Sequence, residues 1–143
     1  MTAGPEPNER VAEVRERVDA STFHRAFGMR LEHVAEGEVD LRLEAGPEHL
    51  NLMGTVHGGV LATLADSATG LAYRTVLEPG TTFTTIQLSL TYLTAGRAGR
   101  IVARGRVVKQ GRRTGYAEAD VVDGKGKLLA RATALLAVTP EPQ

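Results

Sequence analysis

The chain has 143 residues, 17 basic and 17 acidic side chains, 42% hydrophobic residues and no cysteine. That length suits one domain with one sizeable core, and the missing cysteines exclude a disulfide framework, a thiolate metal site and a cysteine nucleophile. The balanced charge says nothing about a polyanionic partner, but 4% aromatic content and the absence of tryptophan argue against a base-stacking nucleic-acid platform, and no run approaches the ~20 apolar residues of a membrane helix.

The opening MTAGPEPNER lacks the basic-then-apolar order of a secretion signal. Residues 1–7 therefore read as a disordered leader to a cytoplasmic protein, and residues 8–139 as a single domain. Residues 8–18 have a helical pattern, with Val11, Val14 and Val18 on one stripe. Phe23 and Phe27 follow in a short connecting segment that ends at Gly28. Two strands are expected at 29–35 and 38–44; in the second, Val39, Leu41 and Leu43 alternate with Asp40, Arg42 and Glu44. After a loop, residues 57–77 form the longest helical pattern, with Leu61, Leu64, Ala68, Leu71 and Thr75 facing a sheet. The breaker pair Pro79-Gly80 ends it. Four more strands are expected at 82–93, 100–110, 114–122 and 127–138, separated by turn-like residues. One long helix among six strands indicates an α+β domain in two layers.

The long helix is uncharged except for Asp66 until Arg74. At ~100° per residue Asp66 points away from the apolar stripe, toward the small residues Gly59, Ala62, Thr63 and Gly70. A carboxylate among small residues suits close approach by a ligand or a second subunit; an exposed, solubilising charge is the competing explanation. The helix start is more informative. Gly54-Thr55-Val56-His57-Gly58-Gly59 brings a flexible, uncrowded backbone into the first turn. Unpaired N–H groups there, with the helix dipole behind them, can receive an anion or a developing oxyanion.

The run from Asn51 through His57-Gly58-Gly59 to Asp66 and Gly70 resembles the signature of hotdog-fold thioesterases of the phenylacetate-pathway (PaaI-like) type. Tyr92-Leu93-Thr94-Ala95, the turn from Lys109 to Arg113 and the closing run from Gly126 to Arg131 are also similar. The resemblance covers roughly residues 27–138. It implies a hotdog fold: a curved antiparallel β-sheet wrapped around one long central helix, here with an extra N-terminal helix. It further implies a homodimer, and a dimer of dimers beyond that. By resemblance Asp66 is the catalytic carboxylate, Gly58 supplies the N–H that polarises the thioester carbonyl, and Asn51 and His57 shape the pocket. Thr85 stands where relatives place a hydroxyl that orients water or the carboxylate.

Gly58 and Asp66 are eight residues apart, about 12 Å along one helix axis. A reacting carbonyl needs each group at roughly 3 Å, so if both residues act on one substrate they come from different subunits. His57 is expected to donate to Asn51 or the substrate oxygen, or else simply to hydrogen-bond at the helix start. Between Glu78 and Glu118 lie seven basic and no acidic residues. Arginine suits the phosphates of coenzyme A, so Gly59, Lys109, Arg112 and Arg113 are the expected substrate contacts, with Arg104 and Arg106 sharing one strand face. His24, His33, His49 and His57 never fall at the i, i+4 spacing of a helical metal site, and neither a metal nor a cofactor is expected. The chain carries no G-x-S-x-G nucleophile elbow. The function expected is hydrolysis of an aromatic, phenylacetyl-type, or medium-chain acyl-CoA. A non-enzymatic acyl-CoA-binding hotdog domain and an enoyl-CoA hydratase are the alternatives.

Overall fold

The computed structural model describes residues 7–143; apart from Pro7, the expected leader lies outside them. Helix α1 (Pro7–Ala20) is longer at both ends than its valine stripe indicates. Val14 and Val18 are buried, and so is Arg10, whose guanidinium donates to the Glu78 carbonyl at 3.2 Å and to Glu13 at 3.0 Å. The segment carrying Phe23 and Phe27 is not a plain connection but a short helix, α2 (Thr22–Phe27). The Ser21 hydroxyl caps it by accepting from the His24 N–H at 3.2 Å, and Gly28 closes it in the left-handed conformation that favours glycine.

Six strands follow: β1 (Met29–Ala35), β2 (Glu38–Ala45), β3 (Thr81–Tyr92), β4 (Gly99–Gln110), β5 (Thr114–Asp123) and β6 (Leu128–Pro140). They form one antiparallel sheet in the order β1-β2-β4-β5-β6-β3. The long helix α3 (Gly58–Arg74) lies between β2 and β3 in sequence, so the chain crosses the sheet along it. As the alternation predicts, Val39, Leu41 and Leu43 are buried, and they share a core with Ile101, Ala103, Ala119, Val121, Ala130 and Ala132. Leu61, Leu64, Ala68 and Thr75 face this core as expected, with Leu71 half-buried. This is the hotdog architecture the resemblance implies.

Small residues on the central strands let α3 sit almost on the sheet backbone. A Cβ at Gly105 would stand 2.4 Å from the Ala68 carbonyl oxygen. Helix α3 is shorter than its periodicity suggests, because two side chains end it. His57 caps the start from outside the helix. At the other end Thr75 Oγ1 donates to the Ala72 carbonyl at 2.6 Å and accepts the Gly37 N–H at 2.7 Å. Backbone polar groups satisfied by a side chain no longer need a further helical turn. No helix among the described residues is long and apolar enough to cross a membrane.

Candidate active site

The loop between β2 and α3 is built by its own polar side chains. His49, 7% exposed, accepts the Gly46 N–H at Nδ1 (3.1 Å), and its Nε2 lies 3.0 Å from the Phe27 carbonyl. Accepting at Nδ1 places the neutral proton on Nε2, so the Phe27 contact is a donated hydrogen bond. Sequence reasoning did not single out His49; only its burial reveals the role. The His57 N–H donates to the His49 carbonyl at 2.9 Å, which pins the base of the loop beside the helix start.

Asn51 works within this loop. Its Oδ1 accepts the N–H groups of Met53 (2.9 Å) and Thr55 (3.1 Å), and its Nδ2 donates to Thr55 Oγ1 at 2.9 Å. No bond joins His57 and Asn51 among the described residues: Asn51 is satisfied by Met53 and Thr55 within its own loop, and His57 turns Nδ1 to the helix start. His57 Nδ1 accepts the Gly59 N–H at 2.8 Å as the cap of α3. The helix-start bond expected of His57 is thus present, and it uses Nδ1 alone. Gly59 therefore has its N–H occupied, whereas the Gly58 N–H has no acceptor among the described residues.

Tyr92, at the end of β3, closes over this turn. Its hydroxyl donates to the Gly58 carbonyl at 2.8 Å. A Cβ on residue 58 would lie 3.0 Å from the ring, so any side chain there would press on the tyrosine as well as crowd the N–H. Beside them is a cleft of about 300 Å³ lined by Val56, Leu61, Tyr92 and the 93–96 segment. The sequence reading quoted Tyr92 for its resemblance and assigned it no role. The contact joins residues 34 positions apart and leaves no local signal.

Two turns further along, Asp66 is open to solvent on the helix surface. Its carboxylate has neither a hydrogen bond nor an ion pair among the described residues. Even so, the protein around the carboxyl removes enough water to raise its pKa above the ordinary value. Part of the small stripe beside it is filled from within the chain, since Gly70 is buried with the Phe83 ring 3.3 Å from where its Cβ would stand. Strand β3 thus runs along α3 from Phe83 at Gly70 to Tyr92 at Gly58. Thr85, half-buried, falls between those contacts, level with the middle of the helix. A bulge immediately follows it: Thr85 pairs with Leu136 and Gln87 with Leu135, leaving Ile86 as the extra residue.

An open N–H at a glycine-rich helix start and an unpaired carboxylate two turns along the same helix, on a hotdog frame, are what the resemblance led us to expect. The model of the thioesterase superfamily matches residues 53–130, the span that holds Gly58, Asp66, Thr85 and Tyr92. The chain belongs to the thioesterase superfamily.

Other comparisons agree. Human acyl-coenzyme A thioesterase 13 is 31% identical over 121 residues, covering 82% of this chain and 86% of that protein. PaaI, the phenylacetic acid degradation protein of Thermus thermophilus, superimposes with a TM-score of 0.75 at 36% identity, covering 82% of this chain and 98% of that one. A thioesterase family protein from Silicibacter pomeroyi reaches a TM-score of 0.86 at 24% identity, covering 92% and 99%, and supports the fold alone.

The basic residues of this thioesterase divide into two sets. Arg104 and Arg106 share a strand face as expected, but it is the outer face of the sheet, since Gly105 between them meets α3. There Arg106 donates to Glu118 at 2.8 Å, and Arg131 to Asp120 at 2.7 Å. The Arg131 hydrogen bond in turn holds the Asp120 carboxyl below its ordinary pKa. Arg100 is bonded to Glu32. Arg100, Arg106 and Arg131 thus balance acids of the fold. Lys109, Arg112 and Arg113 are exposed and have no ion pair among the described residues. They lie at the far end of α3 from Gly58: Gln110 is bonded to the Val76 carbonyl, and the Val138 N–H donates to the Arg113 carbonyl at 2.8 Å. The 17 residues of α3 separate the two ends by about 25 Å.

Proposed function

We propose that the protein hydrolyses acyl-CoA thioesters, with an aromatic phenylacetyl-type or medium-chain acyl group, to a free acid and coenzyme A. The observation that carries this reading is the pairing of an open Gly58 N–H with an unpartnered Asp66 carboxylate of raised pKa on one helix. Because about 12 Å of helix separates them, the site combines Asp66 of one subunit with Gly58 of its partner. The thioester oxygen accepts the Gly58 N–H at the helix terminus, where the dipole favours negative charge. Asp66 takes a proton from water as the hydroxide adds to the carbonyl carbon. The C–S bond then breaks and the thiolate leaves with that proton. Direct attack by Asp66, giving an anhydride that water opens, uses the same groups. Thr85 aligns the water or the carboxylate, and Asn51 and His57 hold the loop and helix start in place. The scheme asks for no metal or cofactor beyond the coenzyme A of the substrate. Lys109, Arg112 and Arg113 serve the phosphates of the substrate whose carbonyl sits on the partner's helix start.

The test is thiol release from a panel of acyl-CoAs, comparing the natural protein with Asp66→Asn. The protein has no cysteine, so a thiol-reactive dye reports only liberated coenzyme A. Cleavage by the natural protein and a loss of about 100-fold or more in the mutant support the reading. Binding of an acyl-CoA without cleavage replaces it with a non-enzymatic binding domain.

A further inference from the structure

The contact between Tyr92 and Gly58 belongs to a longer chain of hydrogen bonds. The carbonyl of Gly58 and the N–H of Gly59 are the two ends of one peptide group. Tyr92 donates to the first at 2.8 Å, and the second donates to His57 Nδ1 at 2.8 Å. A donor on the carbonyl polarises an amide and strengthens what its N–H donates, by about 10–30% per bond in condensed-phase estimates. A ring nitrogen that accepts a hydrogen bond carries no proton, so neutral His57 holds its proton on Nε2. His57 is exposed, and its neighbour is Gly58, whose N–H is open.

We propose that Tyr92 is a positioning residue: through the Gly58–Gly59 peptide its hydroxyl keeps His57 in the Nε2–H form, oriented as a second donor beside the Gly58 N–H. Tyr92 is 55% exposed in the single chain, so burial within its own chain does not account for its placement. The ring lies over Gly58, which has no side chain to displace it. The hydroxyl is therefore the part that acts, and the ring delivers it.

The proposal rests on the thioester-hydrolysis reading for its kinetic test, but not for its structural one. In Tyr92→Phe the ring stays and the hydroxyl goes. Exchange of the Gly59 amide with deuterated water, followed by nuclear magnetic resonance on the whole protein, is expected to quicken by about twofold, the scale of weakening one hydrogen bond by about 10–30%. With an acyl-CoA that the natural protein cleaves, kcat is expected to fall by about twofold, on the same scale. KM and the melting temperature should stay near their natural values. In a His57→Gln background Tyr92→Phe should cost little further activity, because the route through His57 is already cut. Unchanged Gly59 exchange overturns the proposal whether or not any substrate is cleaved. So does a full, independent loss of activity from Tyr92→Phe in the His57→Gln background. If the natural protein cleaves no acyl-CoA, the functional reading fails, while quickened Gly59 exchange still supports the hydrogen-bond chain.

Discussion

His24 Nε2 lies 2.6 Å from the Ser67 hydroxyl, so the short helix α2 is tied to α3 one residue beyond Asp66. Ser21 completes the arrangement at 2.8 Å from His24 Nδ1. Loss of water around the imidazole lowers the His24 pKa from 6.5, so the folded protein holds it neutral.

A stability–pH dependence follows from that bond. Because the folded-state pKa is lowered, the stabilisation is present above the unfolded value of about 6.5 and is lost as pH falls through the folded value. His24→Ala should therefore destabilise the protein by about 1 kcal/mol at pH 8, and the difference should shrink toward pH 5. Denaturant unfolding across that range checks it; a gap that widens on acidification contradicts it.

Asp66 behaves in the opposite sense. A carboxyl whose folded pKa is raised favours the fold while protonated, and that contribution is gone once pH has risen through the folded value. At neutral pH the ionised group is a cost, so Asp66→Asn should melt at or above the temperature of the natural protein while losing activity. In the active protein the acid limb of kcat/KM should lie above 3.8, the ordinary value for aspartate. An inflection at or below it would remove Asp66 as the base.

The shared site can be tested by mixing subunits. Asp66→Asn and Gly58→Ala should each be inactive alone. In a mixed dimer one site carries both lesions and the other carries neither. Unfolding and refolding an equimolar mixture should restore about a quarter of natural activity, from random pairing into a two-fold dimer. Absence of recovery, with mixed dimers present, means that each chain supplies a whole site.

Arg112→Ala with Arg113→Ala should raise KM for acyl-CoA by about tenfold, as expected for a lost phosphate contact, and leave kcat nearly unchanged. The penalty should fade as salt rises. A changed kcat with an unchanged KM would place these residues elsewhere in the cycle.

Gly105→Ala should cost about 1–3 kcal/mol or more by overpacking, because its Cβ would meet the Ala68 carbonyl at 2.4 Å, and backbone cannot swing aside. Urea unfolding measures this directly; a neutral substitution would mean that α3 does not sit on β4 as described.

The order of elements was legible in the sequence because each has a local cause. Strand alternation in Val39, Leu41 and Leu43, the three-and-four spacing of Leu61, Leu64 and Ala68, and the Pro79-Gly80 break are properties of neighbouring residues. Resemblance marked Asp66 and Gly58, and the pitch of a single helix was enough to set them about 12 Å apart. The six residues of α2 carried no periodic signal; what makes them helical is the Ser21 cap and the Gly28 turn, with His24 docked on Ser67. The helix ends, the burial of His49, the ion pairs of the outer sheet face and the seating of Tyr92 on Gly58 are contacts between distant parts of the chain. Only the tertiary structure could decide them, since a hydrogen bond or ion pair depends on two side chains meeting in space, and sequence patterns record only what each does along its own strand or helix.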